Sequence, residues 1–357
     1  MKAVLLTGHG GLDKLEYRED IPVPQPGPGE LLAEVRACGI NNTDIWVREG
    51  AYGTDDDPNA TSSWRRNAPT LVFPRIQGAD TAGYVVSVGS DVDTSWLGKR
   101  ILVDASIYNT GGDSLADIDY IGHGRDGGYA EYTVVPIDNA YPVQTDMTDA
   151  ELGTFWCAYH TAEQMLDRAR VGAGERVLIT GASGGVGSAL VQLCRARGAI
   201  PYAVVGAGKE SALLSIGAQA AIARDSPNLK EAVTQATDGK DIDVVADLVA
   251  GPLFGELINI LRPEGRYTTA GAIAGPVVAL DLRTMYLKHL ELHGSSQGTR
   301  SAFARIVAYL EAGAIRPLLH ATYPLSAIHQ AQRDFMAKKH IGKLALIPDR
   351  FYASYAH

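Results

Sequence analysis

The stretch Val177-Leu178-Ile179-Thr180-Gly181-Ala182-Ser183-Gly184-Gly185-Val186-Gly187-Ser188 joins an apolar run to a glycine-spaced turn and then to the start of a helix. Glycines at this spacing let the chain reverse sharply and bring backbone N–H groups close to a pyrophosphate, whose charge is favoured at a helix N-terminus. A second apolar run, Tyr202-Ala203-Val204-Val205, follows roughly twenty residues on, as a dinucleotide-binding unit requires. Gly181, Ser183, Gly184, Gly185, Val186 and Gly187 are therefore expected to bind a cofactor. The second run closes as Gly206-Ala207-Gly208-Lys209, without an early carboxylate to accept hydrogen bonds from a ribose 2′-hydroxyl. Gly206 and Lys209 extend the expected site, and Lys209 offers a countercharge to a 2′-phosphate, so NADPH is expected in preference to NADH. An ordinary solvated lysine would look the same here, and Glu210 directly follows it.

Such a turn must be carried by a parallel sheet, and the second half of the chain has the pattern of one. Further apolar runs at 244–245, 267–270 and 290–293 alternate with helical segments, which predicts a doubly wound sheet with helices on both faces. The first 150 residues read differently, as short strands near 2–7, 30–37, 82–88 and 100–104 cut by turn signals and by Pro22, Pro24, Pro26 and Pro28. A helix near 303–312, a strand near 322, a helix to 337 and a strand at 343–347 complete the chain. Its fold class is thus α/β, with a β-rich domain and a nucleotide domain. Residues 53–69 form a long polar excursion, the expected mobile loop.

The whole chain has 357 residues with 41 acidic against 32 basic side chains, a net charge of −9, which argues against nucleic acid or anionic membranes as partners. Nothing approaches the roughly 18 apolar residues of a membrane span, and the opening residues lack a signal-peptide pattern, so a cytoplasmic location is expected. The three cysteines, Cys38, Cys157 and Cys194, are too few for a disulfide framework or a four-cysteine zinc site.

Several segments, in order, resemble the medium-chain dehydrogenase/reductase superfamily: Gly39-Ile40-Asn41-Asn42-Thr43-Asp44, Gly78-Ala79-Asp80-Thr81-Ala82-Gly83, Asp126-Gly127-Gly128-Tyr129-Ala130-Glu131, the glycine turn, Gly294-Ser295-Ser296-Gln297-Gly298, and His340-Ile341-Gly342-Lys343. The resemblance implies a GroES-like catalytic domain over 1–156 and 297–357, a Rossmann domain over 157–296, a cleft between them, and a homodimer or homotetramer. It implies hydrogen-bond donors for catalysis at Asn41, Thr43 and Tyr52, and pocket residues at Trp46 and His160. It also places Gly271, Ala272 and Ile273 along the nicotinamide ribose, Ser295, Ser296 and Gln297 near the carboxamide, and Lys343 near the cofactor phosphates. Each candidate also has a structural reading: Asn41 and Thr43 as turn residues bonding their own backbone, Tyr52 as a packing aromatic, His160 as an interior histidine.

Zinc members of that superfamily place a cysteine after Gly-Ile and a histidine in a Gly-His-Glu motif. Here these positions are Asn41 and, in Gly78-Ala79-Asp80, Ala79, while Cys157 remains. Asn41, Asp80 and Cys157 make a poor zinc set, so no metal is expected. Without a Lewis acid, hydride transfer suits a quinone or an α,β-unsaturated carbonyl, which delocalises the incoming charge. The expected function is therefore an NADPH-dependent oxidoreductase acting on such small molecules. A zinc-free alcohol dehydrogenase or carbonyl reductase is the alternative, suggested by the zinc-branch flavour of residues 121–129, and a non-enzymatic NADPH-binding protein is a third.

Overall fold

The computed structural model describes residues 1–52, 71–109, 114–116 and 118–355; the polar excursion at 53–69 lies outside them. The chain divides into two compact units, Met1–Cys157 with Thr299–Phe303 and Leu319–His357, and Ala158–Gly298 with Ala304–Leu318. The expected boundaries differ from these by one residue at 157, by two at 297–298, and chiefly in residues 304–318, which join the second unit. Buried Glu163 accounts for that: its Oε1 accepts a 2.9 Å bond from Arg305 Nε, Arg305 also pairs with Asp167, and Arg316 N donates to Gln192 Oε1 at 2.7 Å.

The first unit is strand-rich. Its largest sheet runs in the order Ala140–Pro142, Arg100–Val103, Ala82–Val88, Glu30–Gly39, Lys343–Ile347, Leu319–Pro324, with Tyr132–Pro136 also paired to Glu30–Gly39. A smaller sheet centres Ala3–Leu6 between Leu15–Arg18 and Arg75–Ile76. The pairing that matters most for the site is antiparallel, Ala345 opposite Gly39 and Leu346 opposite Cys38. It brings the start of a strand from the end of the chain to the end of a strand from its beginning. Apolar side chains including Val4, Leu6, Val35, Ile40, Ile45 and Leu346 bury this region.

The second unit holds six strands, all parallel, in the order Ala220–Ala223, Ile200–Val205, Arg176–Ile179, Ile242–Asp247, Leu261–Thr269, Glu291–Gly294. Side chains alternate between faces along a strand, and here both sets are buried. Leu178, Tyr202, Val204 and Val245 pack with Leu229, Val233, Phe254 and Leu257 from helices Leu229–Ala236 and Phe254–Ile260. The alternate residues Val177, Ile179, Ala203 and Val244 are equally buried, and helix Gly185–Ala196 packs on the two strands that flank it in sequence. The result is the expected doubly wound sheet, with one strand added: Ala220–Ala223 is alanine-rich and carries no β-branched run to announce it. Among the described residues, no helix is long and apolar enough to cross a membrane.

Close packing within the first unit leaves a direct test. A Cβ on Gly83, in strand Ala82–Val88, would stand 2.1 Å from the carbonyl oxygen of Glu34 on the neighbouring strand. Gly83→Ala must part the two strands and should destabilise by about 1–3 kcal/mol, lowering the thermal midpoint by about 2–4 °C for each kcal/mol. An unchanged melting temperature would contradict this packing.

Candidate active site

Strand Glu30–Gly39 is followed by Ile40, and Asn41 caps helix Asn42–Glu49 with extended backbone at φ −131°, ψ 160°. Asp44 closes that corner. Its Oδ2 accepts 2.8 Å bonds from Asn41 N and from the Tyr129 hydroxyl, and the side-chain amide of Gln77 donates to its carbonyl at 3.0 Å. Asp44 is therefore an anchor for the helix start. Burial pushes its carboxyl from the ordinary 3.8 up to about 7, with neighbouring Asp80 adding to the rise and the bonds from Tyr129 and Asn41 opposing it.

Asp80 lies beside this corner, fully buried. Its Oδ1 accepts a 2.6 Å bond from Cys157 N, and its Oδ2 accepts a 2.9 Å bond from the ammonium of Lys343. Glycine at 39 makes room, because a Cβ there would stand 2.6 Å from Asp80 Oδ2. Lys343 Nζ also donates to Asn41 Oδ1 and, at 3.3 Å, to the carbonyl of Ile40. Three acceptors thus meet the three protons of a buried ammonium. The expectation that Lys343 lies near cofactor phosphates meets a different arrangement: its charge is spent inside the first unit.

The other first-unit candidates gather here too. Thr43 Oγ1 lies 3.8 Å from Cys157 Sγ, and Thr43 hydrogen-bonds with Tyr52. The rings of Tyr52 and Trp46 meet edge to face with centroids 5.7 Å apart. Burial raises the Tyr52 phenol above its ordinary value and pushes the Cys157 thiol up to about 12, so both groups keep their protons at neutral pH.

In the second unit, Gly181 takes φ +58°, and Gly184 caps helix Gly185–Ala196. A Cβ on Gly187 would stand 2.4 Å from Gly181 O, so this position must be glycine for the turn to lie on its helix. Ser183, Gly185 and Val186 are half-buried along the same turn. Beneath them sits a hub that the sequence reading missed. Fully buried Asp247 accepts bonds from the Tyr267 hydroxyl at 2.6 Å, Val249 N at 2.9 Å, Ala250 N and the Thr180 hydroxyl, tying together the ends of three neighbouring strands. Its only sequence signal is a carboxylate ending the apolar run Ile242–Asp247.

Lys209 follows the end of strand Ile200–Val205, and a second missed residue stands nearby. The Arg224 guanidinium carbon is 3.5 Å from where a Cβ on Gly206 would be, and its charge, after partial burial, lowers the Lys209 pKa. Among the described residues no carboxylate pairs with Arg224. Gly271 and Ala272 are half-buried in the loop after strand Leu261–Thr269, while Ile273 is exposed. Ser295 N donates to Thr269 O at 2.8 Å; Ser295 Oγ and Gln297 Oε1 are buried with no partner among the described residues, and Ser296 between them is exposed. Buried His160 lies against Gly298, where a Cβ would stand 2.4 Å from its ring. A glycine turn, a helix N-terminus, orphaned polar atoms and two cations are a donor set suited to a nicotinamide dinucleotide.

Two family models match the chain, the alcohol dehydrogenase GroES-like domain over residues 27–145 and the zinc-binding dehydrogenase over residues 185–312. A crystal structure of a Sinorhizobium meliloti protein classed as an alcohol dehydrogenase is 66% identical, with a TM-score of 0.94 over 98% of this chain and 97% of that one. The Mus musculus quinone oxidoreductase is 27% identical across 97% of this chain and 98% of its own. The Homo sapiens synaptic vesicle membrane protein VAT-1 homolog is 29% identical across 98% of this chain and 86% of its own.

The zinc in one family description can be tested against the residues present. Of the three candidate donors, Asn41 Oδ1 and Asp80 Oδ2 both bond the Lys343 ammonium, and Cys157 holds its proton up to about 12. A divalent cation would have to displace a buried positive charge and strip a reluctant thiol. This set does not fit zinc.

Asp44 supplies a test of the corner's electrostatics. The native carboxyl gains its proton near pH 7 and the unfolded one near 3.8, so between these values the native state binds more protons and stability falls as pH rises. Asp44→Asn keeps an acceptor for Asn41 N and Tyr129 without the charge. Its melting temperature relative to wild type should therefore climb from pH 4.5 to 7.5; parallel curves would contradict the assignment.

Proposed function

The chain belongs to the medium-chain dehydrogenase/reductase superfamily and is an NAD(P)H-dependent oxidoreductase; from that premise we propose that it uses NADPH to reduce a quinone or an α,β-unsaturated carbonyl without a catalytic zinc. The observation that carries this reading is the Lys343 ammonium bonded to both Asn41 and Asp80. No Lewis acid is then at hand to hold a localised alkoxide, which favours an acceptor that spreads the incoming charge. The quinone oxidoreductases among the relatives support the same substrate class.

The chain's own residues divide the work. Asn41 Nδ2 donates a hydrogen bond to the acceptor oxygen on which charge develops. Tyr52 and Thr43, bonded to each other and protonated at neutral pH, deliver the proton that completes the reduction. Trp46 supplies an apolar wall. In the second unit the 181–187 turn and the N-terminus of helix Gly185–Ala196 hold the pyrophosphate, Ser295 and Gln297 take the carboxamide, and Lys209 with Arg224 pairs the 2′-phosphate. When bound, the nicotinamide supplies the hydride.

A zinc-free alcohol dehydrogenase or carbonyl reductase is the second reading, favoured by the 66% identity to the Sinorhizobium meliloti protein. A homodimer or homotetramer fits the exposed apolar residues Val277, Leu282, Tyr286 and Leu287 beside the edge strand Glu291–Gly294.

One measurement decides between these readings and a second tests the cofactor assignment. NADPH oxidation should proceed with a benzoquinone or a conjugated enone, be unchanged by chelator and be far slower with a simple aldehyde; aldehyde turnover that exceeds both would select the second reading. Replacing Lys209 and Arg224 together by alanine should weaken NADPH binding by about 10- to 100-fold, the loss of one or two charge-assisted bonds. NADH affinity should stay unchanged, and equal losses for both cofactors would remove the 2′-phosphate assignment.

A further inference from the structure

A primary amide can sit in a hydrogen-bond network either way round, and a neighbouring ion decides which way. Beside Asn41 that ion is a donor only: the Lys343 ammonium donates to the amide oxygen and would be repelled by the amide NH2. Lys343 cannot turn to suit Asn41, because Asp80 Oδ2 holds it at 2.9 Å and Ile40 O at 3.3 Å, while Asp80 is itself fixed by Cys157 N at 2.6 Å. The amide of Asn41 is therefore locked with Nδ2 turned away from the ion. That Nδ2 has no partner among the described residues although Asn41 is only 6% exposed. A buried donor left unmatched by the fold, in a side chain whose other end is pinned by a buried charge, is a donor kept for something that binds.

From this we infer that Lys343 is a positioning residue: held by Asp80, it orients Asn41 so that Nδ2–H meets the oxyanion or enolate oxygen of the acceptor. The inference rests on the carbonyl or quinone reduction proposed above and names what orients its key donor. The ammonium never touches the substrate. Its effect runs through one amide, which separates it from a merely structural ion pair.

A double-mutant cycle on full-length protein tests this. Lys343→Met combined with Asp80→Asn removes the buried charges together and keeps an acceptor for Cys157 N, so the variant has no orphaned ion to unfold it; its melting curve checks this. Asn41→Leu alone should lower kcat for the quinone by about 100- to 1,000-fold, as loss of an oxyanion donor does. The paired variant should lower kcat by about 10- to 100-fold, with the KM for NADPH unchanged. Placed in the Asn41→Leu background, the paired change should cost nothing further, since its effect passes through the missing amide. Full multiplication of the two losses, or a paired variant with wild-type kcat, would overturn the positioning role. A wild-type protein that turns over no quinone or enone would instead overturn the underlying reading and this inference with it.

Discussion

A lysine ammonium taken out of water is tolerable only where acceptors replace its hydration, and the first unit is arranged around one such ion. Lys343 is 3% exposed and Asp80 is fully buried, and the pair would be strongly destabilising if either partner stood alone. Three separate stretches must converge to satisfy it: the first residue of strand Lys343–Ile347, the exit of strand Glu30–Gly39, and the segment holding Asp80. The antiparallel register that sets Ala345 opposite Gly39 places the first two, and the absence of a Cβ at 39 admits the third. The same ion takes up oxygens of Asn41 and Asp80 that a metal held there would need.

The second unit solves a different problem, how to hold a turn open at the end of a buried sheet. Glycines let the backbone pass within contact distance of the helix that follows it. Asp247 then fixes the strand ends from below, using donors from Thr180, Tyr267 and the 249–250 backbone. A buried carboxyl whose two oxygens both meet donors is held in one place, so it makes a rigid floor for the turn.

The legible and illegible parts of this molecule divide by how local their causes are. The glycine turn could be read because backbone geometry demands glycine wherever it occurs, and strands Ala82–Val88 and Lys343–Ile347 could be read because a few consecutive residues carry their pattern. Strand Ala220–Ala223 could not: alanine has no β signature, and the strand exists because Ile200–Val205 offers it an edge. Arg224 was lost with it. The Lys343–Asp80 bond joins residues 263 positions apart, beyond any spacing rule, and a lysine after glycine near the chain's end gives no hint that its charge turns inward. Asn41, Thr43 and Tyr52 were singled out as donors by the family resemblance of their segments; which face of the amide Asn41 presents depends on the folded arrangement.

The Lys343 ammonium lies against Asn41 and Asp80, where a metal ion would otherwise have to bind. Anomalous diffraction at the zinc absorption edge, from crystals grown with excess zinc, reports on it most directly. No anomalous peak is expected there, and side-chain density should place Lys343 Nζ within hydrogen-bond distance of Asp80 and Asn41. A strong peak among Asn41, Asp80 and Cys157, with Lys343 swung away, would contradict this arrangement.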